Sequence, residues 1–311
     1  MSELETPAPA AATAAPNAHP RRHRPPAQNP GLWKGWIRPF LVVILVVTAL
    51  RSSLVDWNDV PTGSMIPTIA IGDRIVVNKL AYGFNPPFNG PKLTIPLVNI
   101  EWDNPADTLP GFYWSSPKRS DIVTFWKPST QQLVYEAAKR KGLAEAEARD
   151  ISAASKYSGG TRMIKRVVAI AGDVISMKPA TLDHNGKPYR YSSLTLNDET
   201  ATYHFDDHDQ LVETLLGDTR IIRYIRNPDI RRLDEVKNGP PSAWAVTFGP
   251  FTVPEGRCLM IGDNRDNSAD GRQFGPVEIS QITGKAKFVA ASFDGSFLSP
   301  VWSRFFKSLN F

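Results

Sequence analysis

The chain of 311 residues carries a single cysteine, Cys258, so no disulfide can close within it and cysteine usage leaves its redox compartment open. It also lacks a dominant charge, since 36 Lys and Arg stand against 31 Asp and Glu for a net +5. The two signs are interleaved along most of the chain, which gives no nucleic-acid footprint. Histidine is scarce: His19 and His23 lie near the N-terminus, and His184, His204 and His208 in a polar stretch far downstream. A serine nucleophile with a histidine base therefore finds little support. The Gly-x-Ser-x-Gly elbow is missing too, because Thr62 and Ile66 occupy its glycine positions around Ser64, and Ser-x-x-Lys fails at Pro67. Large apolar side chains are nearly absent from residues 1–31, a Pro- and Ala-rich tail that cannot bury enough surface to offset its ordering entropy and is expected to be disordered.

An apolar run comes directly after the tail. Pro39 to Leu50 contains no charge, but as a helix it covers only about 18 Å, short of a bilayer core of roughly 30 Å. Extended over residues 33–55, with Lys34, Arg38 and Arg51 snorkelling and Trp33, Trp36 and Trp57 near the interfaces, it is long enough to span. No small-x-small cleavage site comes after it, which argues against a cleaved leader. Basic residues precede the run while Asp56 and Asp59 lie beyond it, so the positive-inside rule places the N-terminus in the cytoplasm and the rest of the chain on the outer side.

Beyond this anchor the pattern is of short β-rich runs bounded by Gly, Pro or Asp: Arg74–Leu80, Asp121–Trp126, Met163–Ile170, Leu259–Ile261 and Ile282–Ala291. Residues 84–118 read as a long surface excursion. An Ala-, Glu- and Lys-rich helix is expected over residues 131–156, stopped by Gly159-Gly160. Residues 178–254 are polar with short strand-like pieces and read as a separate β-rich insertion, which leaves 56–177 and 255–311 as the main body. The aromatic tail from Phe293 to Phe311 suits either a membrane interface or packing on that body.

Three segments carry candidate chemistry. Pro61-Thr62-Gly63-Ser64-Met65-Ile66-Pro67-Thr68 holds a serine on a stiff bend, a setting that orders a nucleophile in advance. Arg162 to Ile170 is an apolar strand with embedded charges. Side chains alternate along it, so Lys165 and Arg166 face opposite ways, and Lys165 shares its face with Met163 and Val167. Such a lysine is either desolvated, with a lowered pKa that suits a base, or an edge-strand cation in water. Gly262 to Arg272 crowds hydroxyl, carboxylate and guanidinium groups into one turn. Its Asp266-x-Ser268-x-Asp270-Gly271 run starts like a calcium loop, but Val277 stands where the closing glutamate belongs and no metal or other cofactor is expected. His204 and His208, with Asp206 or Asp207, offer a second and weaker metal pattern that requires a helix.

Taken in order after a membrane anchor, these segments and Gly72 to Gly83 resemble the sequence boxes of the bacterial type I signal peptidases over roughly residues 36–292. That resemblance implies a mainly β fold, an antiparallel catalytic core with an inserted second β-rich domain. It implies Ser64 as nucleophile and Lys165 as general base, acting through an acyl-enzyme, with the oxyanion held by the Ser64 N–H and the Thr62 hydroxyl. By the same resemblance Ser268 orients the lysine, Asp270 and Arg272 brace the site as an ion pair, and Arg166 has a structural part. The implied substrates are preproteins with signal peptides, cut after a small residue, with small residues favoured one and three places before the bond. The implied setting is the bacterial inner membrane near the secretion translocon, with the lipid bilayer as a partner and nucleic acid as none.

Overall fold

The computed structural model describes residues 31–86, 92–95, 100–103, 111–128, 142, 144, 161–224 and 247–309. The tail, the expected helix over 131–156 and part of the polar insertion lie outside these. The chain divides into two units, Met1–Ile44 and Leu45–Phe311.

A helix runs from Trp33 to Ser53, 21 residues with a mean hydropathy of 1.6 in a window of which none is buried. Its first turn is π-type, Trp33–Ile37, and α1 continues it over Arg38–Ser53. It stops two residues short of the expected Val55, because Val55 opens a strand instead and Arg51 turns its guanidinium onto Asp56 at 2.8 Å.

Eighteen strands occur among the described residues. They begin with β1 (Val55–Asp59), β2 (Asp73–Asn78), β3 (Gly83–Phe84), β4 (Lys92–Ile95), β5 (Ile100–Asp103) and β6 (Phe112–Tyr113). Next come β7 (Ile122–Trp126), β8 (Arg162–Ile170), β9 (Val174–His184), β10 (Lys187–Leu196), β11 (Glu199–Thr200) and β12 (Thr202–Phe205). The last are β13 (Leu211–Leu215), β14 (Asp218–Ile222), β15 (Phe248–Thr252), β16 (Arg257–Ile261), β17 (Val277–Glu278) and β18 (Ile282–Ser292). A four-residue helix, α2 (Gly271–Phe274), lies between β16 and β17.

The principal sheet has the order β1-β2-β18-β7-β8-β16-β17, antiparallel throughout. β11, β10, β9 and β15 make a second sheet and β12, β13 and β14 a third. The fold is thus mainly antiparallel β behind one apolar N-terminal helix, as the sequence pattern predicts. Period-2 burial explains the strands: along β2, Asp73, Ile75 and Val77 are buried while their neighbours are only half so. One apolar cluster joins Ile75 and Val77 to Met65 and Ile69, which flank the serine, and to Ile122 and Val289. Another spans two sheets, with Val168 of β8 and Leu259 of β16 packed among Ile175, Met177 and Leu194 of β9 and β10. The first cluster thus includes the serine loop itself, and the second includes β8 and β16, the strand of the second segment and the strand that leads into the third.

Candidate active site

The loop from Pro61 to Gly72 is fixed at both ends before any chemistry is considered. Met65 and Ile69 are fully buried, and expelling each of these side chains from water stabilises the loop by about 2 kcal/mol. The carboxylate of Asp73, itself fully buried, accepts the Ala70 N–H at 2.8 Å and the Arg304 Nε–H at 2.8 Å. Arg304 also donates to the Thr68 carbonyl at 3.2 Å. Ser64 is thereby held on a short loop whose apolar and polar anchors are both satisfied.

The opposite wall is β8. Its residues 162–166 pair with β7, but β16 pairs only with Arg166 to Ile170. The pairing ends there because Gly262, directly after β16, turns away and gives its N–H to Asp270 Oδ2 at 3.0 Å. Among the described residues no strand pairs with the second edge of 162–165. Arg162 closes its far end by donating to Asn58 at 2.7 Å and to Asp56 at 3.2 Å, both on β1.

Alternation along β8 sends Lys165 and Arg166 to different partners. Lys165 Nζ lies 2.6 Å from Ser64 Oγ and donates to the Ile164 carbonyl at 2.9 Å. It is 2 % exposed and has no carboxylate within ion-pair distance among the described residues. Burial lowers its pKa from 10.5 to about 8, with Asp270 and Asp263 pulling it up and Arg272 pushing it down. The amine is therefore desolvated, and the edge-strand reading in which water surrounds it does not hold. A second lysine, Lys79, is also lowered to about 8 by burial, but its amine sits on the Ser52 carbonyl at 3.0 Å and 3.6 Å from Asp56.

Arg166 turns the other way, into a bidentate pair with Asp263 at 2.9 and 2.7 Å, both 1 % exposed. Asp263 also accepts the Thr68 hydroxyl at 2.5 Å, which ties β8 to the serine loop. Asn264 completes the tie: its Nδ2 donates to the Gly63 carbonyl at 2.8 Å and its N–H to the Ser64 carbonyl at 3.1 Å. Sequence reasoning missed Thr68, Asp263 and Asn264. The available signal was that an arginine buried in an apolar strand requires a carboxylate, and Asp263 is the first acid after β16.

Asp270 and Arg272 do pair, at 2.8 and 2.9 Å, and Asp270 also caps α2 through the Arg272 N–H. Arg272 donates onward to the Arg265 carbonyl at 2.6 Å. Ser268 is buried, but among the described residues its hydroxyl has no hydrogen-bond partner, Lys165 included. It stands over Gly262, where a Cβ would meet Ser268 Oγ at 2.2 Å and the Ser64 carbonyl at 2.5 Å. Thr62 is exposed at the mouth of the loop. Arg265, in the same turn, is a further residue that sequence reasoning missed. It pairs with Glu213 of β13 at 2.7 Å, both fully buried. Burial raises the Glu213 carboxyl, but Arg220 and Arg265 outweigh it and hold it well below the usual carboxylate range.

The alternative chemistries lack this geometry. Cys258 is buried, and burial pushes its thiol up to about 12, away from a thiolate nucleophile. His204 sits on strand β12 and His208 in the turn after it, so the helical face that a His-x-x-x-His metal site requires does not form. No group of three metal-ligating side chains occurs among the described residues.

Comparison with known proteins gives the family. The family described as "Signal peptidase, peptidase S26" matches residues 33–291. A protein named signal peptidase I from Haemophilus influenzae is 28% identical over 267 residues, covering 81% of this chain and 68% of that one. The protein of that name from Buchnera aphidicola subsp. Acyrthosiphon pisum is 25% identical over 265 residues, covering 82% and 74%. A solved signal peptidase I from Enterococcus faecalis shares 18% identity over 55% of this chain and 97% of that one at a TM-score of 0.24, too low to add to the assignment. With most of its length matched, and with its polar groups gathered around one buried serine, the chain belongs to the signal peptidase family, peptidase S26, and is a peptidase.

Proposed function

We propose that the chain is a membrane-anchored serine endopeptidase that removes N-terminal signal peptides from exported preproteins through a Ser64/Lys165 dyad. The observation that carries this reading is the 2.6 Å contact between a buried amine with no carboxylate partner and the serine hydroxyl. Near neutral pH about a tenth of an amine with a pKa of about 8 is uncharged. In that form Lys165 Nζ accepts the Ser64 proton while Oγ attacks the carbonyl carbon of the substrate. The resulting oxyanion falls to the Ser64 N–H and the Thr62 hydroxyl. The lysine ammonium returns its proton to the departing amine, which leaves an acyl ester on Ser64. A water, deprotonated by the same lysine, then cleaves the ester and restores both groups. Ser268, with its unsatisfied hydroxyl, and the Asp270–Arg272 pair position the box around the amine, and Arg166 serves through Asp263.

The unpaired edge of β8 suits an extended peptide, whose side chains alternate so that residues one and three places before the bond face the same wall. The anchor would be the Trp33–Ser53 helix, with the N-terminus in the cytoplasm, and the substrate a preprotein at the outer face of the inner membrane near the translocon. We read 56–177 and 255–311 as the catalytic core and 178–254 as its insertion. Cleavage of a synthetic signal-sequence peptide by the purified protein tests the reading, with Ser64→Ala and Lys165→Ala alongside. Both variants should lose about a thousandfold or more in kcat with their melting curves retained, and substantial turnover by either would remove the dyad.

A further inference from the structure

A cavity of about 390 Å³ borders the serine loop and belongs to none of the groups described above. Its lining combines Pro67 of that loop with Tyr189, Phe205 and Tyr224 and with the polar Asp209, Gln210 and Arg223. We infer that this cavity is a subsite for an apolar, preferentially aromatic, side chain of the substrate two to four residues beyond the cut bond. The inference rests on the Ser64/Lys165 reading and names a specificity element on its leaving-group side.

Two links fix the cavity relative to the nucleophile. Pro67 is three residues after Ser64, so their Cα atoms are at most about 11 Å apart, the span of roughly three residues of extended peptide. On the other side, Arg223 is bridged in parallel to Asn264, whose N–H holds the Ser64 carbonyl. The Arg223 N–H also donates to the Asp263 carbonyl, and the Arg223 carbonyl accepts from the Arg265 N–H, both at 2.8 Å. The cavity wall and the serine therefore move as one piece.

The direction of the peptide follows from the reading that its acyl half lies on β8. The unpaired edge of β8 runs from Arg162, which is fastened to β1, to Lys165 at the serine. A chain lying on that edge carries the acyl half of the substrate up to Ser64. The leaving half continues past the serine, toward Ile66, Pro67 and the 222–224 segment.

The aromatic part of the wall is stiff. Tyr189 and Phe205 meet edge to face at 5.1 Å. The Tyr189 hydroxyl donates to the Tyr224 carbonyl at 2.8 Å and the Tyr224 hydroxyl to the Ser192 carbonyl at 2.9 Å. Both phenols are thus satisfied within the protein, so these two rings offer a ligand carbon, while Asp209, Gln210 and Arg223 add polar groups to the lining. Preordered aromatic rings favour another ring by stacking and by area removed from water.

The test uses the full chain in detergent and peptides identical except for Phe or Gly at the second, third or fourth residue after the bond. The quantity read is the ratio of kcat/KM for Phe over Gly at each position, which does not depend on the fraction of enzyme that is folded. The wild-type protein should show a ratio of about ten at one of these positions, the discrimination expected of a single apolar pocket. Phe205→Ala, which removes a wall, and Gln210→Trp, which fills the space, should each bring that ratio below about three. A wild-type ratio near one at all three positions would overturn the inference, as would a ratio that survives both variants. Cleavage that persists in Ser64→Ala would instead remove the nucleophile assignment, and the subsite with it.

Discussion

Replacing Lys165 by methionine should destroy activity and yet make the protein more stable at neutral pH. The two side chains are unbranched and similar in length, so the change removes the amine without opening a large void. Burial lowers the Lys165 pKa from 10.5 to about 8, which corresponds to about 3 kcal/mol of folding free energy lost wherever the amine is charged in the unfolded chain and must be discharged or desolvated on folding. Because the folded pKa is the lower one, the unfolded chain binds more protons between pH 8 and 10.5, and wild-type stability climbs with pH through that window. Below pH 8 the penalty is present in full. Against it stand the contacts to Ser64 Oγ and the Ile164 carbonyl, worth about 1 kcal/mol each. Lys165→Met should therefore gain about 1 kcal/mol at about pH 7 and lose about 2 kcal/mol above about pH 10.5. For a unit of this size about 1 kcal/mol moves the Tm by about 2–4 °C. Thermal melts of both proteins in detergent at about pH 7 and about pH 9 read the effect, and other titrating groups, Lys79 among them, cancel in the comparison. The advantage of the variant should shrink by about 1 kcal/mol between those two pH values. An advantage that stays constant with pH would show that the amine is not perturbed, and the case for Lys165 as a base near neutral pH would fall with it.

The same geometry sets two further outcomes. The value of kcat/KM should rise about tenfold per pH unit below about pH 8 and level off above it, since only uncharged Lys165 can accept the serine proton; a profile flat from about pH 6 to 9 would contradict this. Gly262→Ala should lower kcat by about 100-fold, because its Cβ would lie 2.5 Å from the Ser64 carbonyl, and backbone cannot yield without moving the nucleophile. Activity near that of the wild type would mean that the Gly262 turn relaxes independently of the serine loop.

The parts of this site that local sequence reveals are those set by a short period. Alternation along an apolar strand separates Lys165 from Arg166, and the structure sends one to Ser64 and the other to Asp263. A stiff Pro- and Gly-containing bend presents Ser64, and buried Met65 and Ile69 explain why it does not wander. Pairings between residues far apart in the chain leave no such period. Nothing near Asp263 announces that it will hold both Arg166 and Thr68, and nothing near Glu213 announces Arg265. The resemblance supplied the box but assigned Ser268 to the lysine, whereas its hydroxyl is left without a partner among the described residues. Likewise the helical reading of His204 and His208 counted spacing alone, and the pairing of β12 with β13 decided that stretch as strand.

Charge matching connects the legible and the illegible parts. The site buries four cations, Lys165, Arg166, Arg265 and Arg272, each at most 3 % exposed by residue or side chain. Three of them face a carboxylate at hydrogen-bonding distance: Arg166 has Asp263, Arg272 has Asp270, and Arg265 has Glu213, which it shares with Arg220, also buried. A buried guanidinium keeps its proton under all ordinary conditions, so each must be paired or the fold bears an uncompensated charge. The cation left without a carboxylate at that distance is the lysine, the one side chain of the four that can release a proton instead. With a carboxylate on each arginine, the Lys165 pKa is left to be lowered by burial, and under the proposed dyad the 2.6 Å approach to Ser64 gives its uncharged fraction a proton to take.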